Sequence, residues 1–271
     1  MLSIDVHTHA FPDALAERAV AELERIAPVR TVGEGTTASL LASMDAAGID
    51  ASVVCTIATR PEQTGSILRW CEAVRSERIV PFASIHPDTP EPGRWVERIV
   101  AAGVRGIKLH AFYQDFRIDE PRMEGIYAAA EALGLVVQLH CGEDFSFPVD
   151  DRAGAARVAR VLDRHRGLKV IAAHMGGWRM WEQSERWLVG RDVFFETSYS
   201  LVDLGPERAA DMIRRHGVER VLFGTDWPWS RQAEDVAVLR GLALADADRE
   251  KVLGANAAAL LGLGGRGVPR A

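Results

Sequence analysis

Eight short runs of Val, Ile and Leu, each followed by a longer Ala-, Leu-, Arg- and Glu-rich segment, dominate the chain. The runs fall near residues 3–6, 51–57, 79–85, 104–109, 135–140, 168–174, 192–197 and 220–225. Pairs such as Val53-Val54, Val136-Val137 and Val170-Ile171 put apolar side chains on both faces, which suits parallel strands covered by helices. Most runs start about 25–35 residues apart, the length of a strand, a crossover helix and two loops. Eight such units in 271 residues predict a closed (β/α)8 TIM barrel of α/β class, with a doubly wound open sheet as the alternative.

The first unit is longer than the others and leaves room for an extra element between Phe11 and Ile49. Between the runs, Ala155, Val158, Ala159 and Leu162 repeat at the spacing of one helix face. Asp119 with Pro121 reads as a helix start, and Gly103 and Gly134 as left-handed helix ends. Ala/Leu-rich segments near 232–243 and 254–262 predict extra C-terminal helices. Residues 1–263 are expected to form one barrel domain and 264–271 a flexible tail.

The net charge of −6 argues against a nucleic-acid partner, because phosphate binding draws on clustered Lys and Arg. No apolar stretch is long enough for a membrane span, and Met-Leu-Ser-Ile-Asp-Val-His does not read as a signal peptide. Cys55, Cys71 and Cys141 are odd in number and lack metal-site spacing, so reduced thiols and a cytoplasmic home are expected. That leaves a small molecule as the partner, and a homo-oligomer open.

The histidines carry the functional signal. Six of eight (His7, His9, His86, His110, His140 and His174) stand at or just past the end of a predicted strand, as do Asp226 and Glu196. The C-terminal face of a TIM barrel is where active sites lie. His7 and His9, two apart on a strand, share a face and can bind one cation. His140 ends Leu-Val-Val-Gln-Leu-His, and Asp226 follows a buried strand where a lone carboxylate needs a partner. A metal held by His7, His9, His140 and Asp226 satisfies all four; polar strand ends without a metal are the plainer alternative.

Asp5-Val-His7-Thr-His9-Ala-Phe-Pro12, Gly106-Ile-Lys108-Leu-His110, Leu139-His140-Cys-Gly142, Ala173-His174-Met-Gly-Gly177 and Phe223-Gly-Thr-Asp226-Trp-Pro228 together resemble the amidohydrolase superfamily. Their order is most similar to the amidohydrolase-related group, amidohydrolase 2, which holds metal-dependent hydrolases and decarboxylases similar to aminocarboxymuconate-semialdehyde decarboxylase. The resemblance implies His7, His9, His140 and Asp226 as ligands of one divalent ion, zinc first, with His174 beside it. It also implies that Lys108, if carboxylated, bridges to a second metal. Otherwise Lys108 pairs with an acid or joins His110 and His174 in holding substrate. Where many relatives have Pro, this chain has Ala111-Phe112-Tyr113.

The leading expectation is a hydrolase of an amide, ester or lactone, using metal-activated water with Asp226 as general base and acid and His174 steadying the oxyanion. The alternative is decarboxylation of a small unsaturated or aromatic acid, with Arg60 or Arg179 as candidates to grip it. A non-catalytic barrel is the third reading. Trp178, Trp181, Trp227 and Trp229 flank two loops of the active face and either wall a pocket or pack in the core.

Overall fold

The computed structural model describes residues 2–27 and 29–264. Its eight strands are β1 (Ile4–Thr8), β2 (Ala51–Cys55), β3 (Ile79–Phe82), β4 (Gly106–Leu109), β5 (Val136–Leu139), β6 (Val170–Ala172), β7 (Phe194–Glu196) and β8 (Val221–Leu222). Each overlaps one of the eight apolar runs. All paired neighbours are parallel, in two continuous ladders, β1 to β3 and β4 to β8. Single bridges join the ladders, Ala83 to Ile107 between β3 and β4, and Thr8 to Trp227 between β8 and β1. Across the second seam Val6 N–H donates to Phe223 O at 2.8 Å and Asp226 N–H to His7 O at 2.7 Å. The sheet thus closes into the expected (β/α)8 barrel.

Alternation along the strands divides the core into two shells. Ile4, Val6, Val53, Phe82, Val136, Ile171 and Leu222 fill the barrel interior. Val54, Ile107, Leu109, Val137, Leu139, Val170 and Val221 face outward and pack under the helices. The helix Ala155–Arg164 buries Ala155, Val158, Ala159 and Leu162, the stripe read from its spacing. Gly103 and Gly134 end helices with φ of 74° and 67°.

The long first unit contains two helices, Asp13–Ile26 and Thr37–Ala47. Thr36 caps the second by accepting from Ser39 N–H at 3.1 Å. The first behaves differently from the other long helices, since Ala16 is its only buried residue. At the other end of the chain, helix Gln232–Gly241 packs beside the barrel. Helix Asn256–Leu261 adds Ala257 and Leu261 to the interior cluster, closing the mouth at the strand starts. Of the tail expected over 264–271, residues 265–271 lie outside the described residues. Among the described residues no helix is long and apolar enough to cross a membrane.

Candidate metal centre

At the opposite mouth, where the strands end, β1 departs from strict alternation. Asp5 points out of the barrel, and its carboxylate accepts from Thr225 Oγ1 at 2.6 Å and Gln232 Nε2 at 2.8 Å. The register with β2 shifts between Asp5 and Thr8. A bulge of this kind re-aims side chains. After it, His7 and His9 both face the mouth, their Nε2 atoms 3.2 Å apart. Asp226, at the end of β8, brings Oδ1 to 3.4 Å from His7 Nε2 and 3.1 Å from His9 Nε2. His140 and His174 complete the ring, with His140 Nδ1 3.1 Å from His174 Nε2. His174 and Asp226 both sit in the left-handed region, at φ 58° and 67°, which non-glycine residues adopt at a cost.

The outer nitrogen of every one of these four imidazoles has an acceptor. His7 Nδ1 donates to Glu196 Oε1 at 3.0 Å, and His9 Nδ1 to Cys55 O at 2.9 Å. His140 Nε2 donates to Glu143 O at 2.9 Å, and His174 Nδ1 to Ser198 O at 3.1 Å. With those protons assigned, the four inner nitrogens carry lone pairs, that of His7 accepting from Lys108 Nζ–H at 3.0 Å. Two lone pairs at 3.1–3.2 Å repel unless positive charge lies between them. Outer N–H groups held by carboxylate or carbonyl are how metal-ligating histidines are usually oriented. The donor set therefore fits a divalent cation. His7, His174 and Asp226 offer ligand atoms within 4.8 Å of one another. His110, His140 and Asp144 form a second such group, joined to the first where His140 Nδ1 meets His174 Nε2.

The electrostatics agree. Burial and the Lys108 ammonium push His7 down to about 4, so it is neutral, the form that binds metal. Burial, with His110 and His174 next to it, likewise lowers His140 well below the usual range. Burial works against the Asp226 carboxylate, but His7 and His9 hold it below its ordinary value. Glu196 is fully buried, and His7 overrides its desolvation to bring it to about 2. Its carboxylate also accepts from Ser198 Oγ, Ser198 N–H and His174 N–H, each at 2.8 Å. Lys108, fully buried, donates to His7 Nε2 at 3.0 Å. It thus faces the centre, as the alternation Gly106, Lys108, His110 requires.

A second acid–imidazole pair adjoins this ring. His110 stacks on His140 with centroids 4.0 Å apart and lies 3.4 Å from Asp144 Oδ2. Sequence reading missed Asp144 and Ser198. Ser198 had a signal, standing two residues beyond Glu196. Asp144 sits in the loop after β5, whose path no periodicity reports. Above the centre opens a cavity of about 610 Å³, into which His7, His9, His110, His140, His174 and Asp226 all project. Trp178 and Trp229 wall it, whereas Trp227 is buried in the core. Neither Arg60 nor Arg179 lines it; Arg179 stacks on Trp178, 4.3 Å from the ring centroid. His86 is a loop histidine whose Nδ1 accepts from Asp88 N–H at 3.1 Å.

Residues 4–263 match the family Amidohydro_2, described as amidohydrolase. The gamma-resorcylate decarboxylase of Polaromonas sp. (strain JS666) is 24% identical over 275 residues, covering 84% of this chain and 84% of that protein. A TIM-barrel protein from Bordetella bronchiseptica superposes with a TM-score of 0.74 at 19% identity, covering 98% of this chain and 100% of that one. The dihydroxybenzoic acid decarboxylase of Polaromonas sp. JS666, solved with bound manganese and the inhibitor 2-nitroresorcinol, superposes with a TM-score of 0.71. It is 17% identical and covers 97% of each chain. These relatives overturn the hydrolase expected as the leading function, since those with named activities are decarboxylases. The letters misled for a physical reason: one donor set at a barrel mouth can activate water or grip a carboxylate.

Proposed function

This chain belongs to the amidohydrolase family, and from that premise we propose that it is a metal-dependent decarboxylase of a small aromatic acid. The observation that carries the proposal is the cluster of four inward imidazole lone pairs and one carboxylate at the base of an apolar-walled cavity. In this reading His7, His9, His140 and Asp226 hold one divalent ion, manganese or zinc, and His174 stands against it. A bound ion would supply positive charge that fixes the substrate's carboxylate or neighbouring oxygen and draws electron density from the breaking bond.

The chain's own residues do the rest. Lys108 adds an ammonium beside the ring, a second source of positive charge for an anionic substrate. Trp229 and Trp178 line the cavity and supply apolar wall that would bound an aromatic ring and exclude water. When the bond to the carboxylate breaks, carbon dioxide leaves and the electron pair stays on the ring carbon. That carbon takes one proton drawn from solvent and passed on by an Asp226 carboxylate oxygen or His174 Nε2, so one proton is consumed for each carbon dioxide released. Glu196 and Ser198 act through His7 and His174, fixing their tautomers. Lys108 is read as a free amine, so a single ion serves. The three cysteines are free and buried, which fits a reducing, cytoplasmic setting.

The test is carbon dioxide release from hydroxybenzoates by protein loaded with manganese or zinc, with esters and lactones as controls. Release that persists after complete chelation would sink the proposal, as would hydrolysis of the controls with no release from any acid.

A further inference from the structure

The cavity is larger than a single-ring acid needs. A site of about 150 Å³ accepts benzene, whereas this one is about 610 Å³. Its base is the metal centre, and its outer walls come from two helices. Leu15, Ala19, Leu23 and Ile26 line one side, spaced as one face of helix Asp13–Ile26. Ile67 and Trp70, from helix Gln63–Val74, line the other. The first helix gives only Ala16 to the core and leaves Leu15 43% exposed, so its apolar stripe serves this channel. No Arg or Lys lines the cavity among the described residues; Glu22, on the helix Asp13–Ile26 wall, is paired with Arg25 at 2.7 Å, and Glu143 and Asp144 line the cavity as well. A second carboxylate there would find acidic groups and, in Arg25, a cation already paired with Glu22.

Resting on the decarboxylase reading, we propose that the substrate is an aromatic acid with one carboxylate, held at the metal centre, and an uncharged apolar extension. That extension, an alkyl or aryl group, runs between helices Asp13–Ile26 and Gln63–Val74. Each methylene added to it should raise affinity about fourfold until the channel is full, the free energy of burying one CH₂.

The experiment uses 2,6-dihydroxybenzoates carrying 4-alkyl chains from methyl to octyl, assayed for kcat/KM on the manganese-loaded protein. Binding of the matching 5-alkylresorcinols is measured by calorimetry. Both are expected to climb with chain length, and a carboxylate at the chain end to abolish the gain. In Ala19→Trp and Leu23→Glu the long-to-short ratio should fall at least tenfold, a ratio that does not depend on how much of each variant is folded. A flat response to chain length in rate and binding overturns the inference, even if short acids release carbon dioxide and the decarboxylase reading stands. A binding gain without any carbon dioxide release upholds the channel and removes the decarboxylase reading. A flat response together with loss of a dimer in Leu23→Glu by light scattering also overturns it, assigning the channel to contact between copies.

Discussion

Replacing Glu196 with Gln keeps the shape of a fully buried side chain and removes its charge. Three donors meet Oε1: His7 Nδ1–H, Ser198 Oγ–H and His174 N–H, at 3.0, 2.8 and 2.8 Å. Hydrogen bonds to a charged acceptor are worth about 1 kcal/mol more than those to a neutral one. The amide nitrogen would also face Ser198 N–H, which now donates to Oε2 at 2.8 Å, so one donor loses its acceptor. The loss should be felt most at His7, whose tautomer and lone-pair direction Glu196 sets. Outer-shell changes of this type weaken metal binding roughly 10- to 100-fold, about 1.4–2.7 kcal/mol. Competition against a chromophoric chelator measures that affinity directly. Thermal unfolding in chelator separates it from stability, at about 2–4 °C per kcal/mol for a domain of this size. If E196Q binds manganese within twofold of the parent, His7 is not held as a ligand by Glu196 and the ring of oriented imidazoles is wrong.

Further outcomes follow from other contacts. Gly224→Ala would drive a Cβ into Glu196 Oε2 and to 3.1 Å from His7 Cβ; steady-state kinetics should show at least a tenfold loss of activity, and urea unfolding a cost of about 1–3 kcal/mol. Burial lowers His216 to about 4, while its Nε2–H donates to Val193 O at 2.8 Å. Because the folded value lies below the unfolded one, its contribution is complete above about pH 6.5 and is lost as pH falls toward 4. Urea unfolding at pH 7 and 4.5 should therefore differ by about 2–3 kcal/mol from this residue, and His216→Gln should remove that part of the slope. Lys108→Met should lower kcat/KM for an anionic substrate at least tenfold, and intact-protein mass should show no added carboxyl group on the parent chain. A carboxylated lysine in that spectrum would refute the single-ion reading.

The barrel was legible because a parallel strand buried on both faces leaves an unmistakable mark, as at Val136-Val137 and Val170-Ile171. The runs overstate strand length near β6 and β8, because the chain turns left-handed at His174 and Asp226 and leaves the ladder. His7, His9, His140, His174 and Asp226 were legible by position, each at a strand end. Their outer partners were legible only in part. Glu196 and Ser198 share the two-residue period of a strand, but Asp144 and the Glu143 carbonyl come from a loop whose course depends on Trp178, with which Glu143 N–H bonds at 3.0 Å. Helix Asp13–Ile26 was expected as an unspecified extra element. That its apolar stripe would face a cavity could not be read from its spacing, since a stripe looks the same whatever covers it.

The seam between β1 and β8 joins the two ends of the barrel sheet. Thr225 Oγ1 and Asp5 Oδ2 meet there at 2.6 Å across 220 residues of chain. Bringing ends that far apart together costs about 5 kcal/mol in loop-closure entropy, and few ladder bonds span this junction. Two of the proposed ligands, His7 and His9, lie at the end of the first strand, and Asp226 follows the last. An ion shared among them would be a cross-link between the two ends of the ring, absent until the final strand has docked. At a hundredfold excess over its dissociation constant it would contribute about 2.7 kcal/mol to keeping the ring shut. Hydrogen exchange at Val6, His9 and Asp226 would then slow on metal loading, making the reaction centre also the latch that sets the lifetime of the closed barrel.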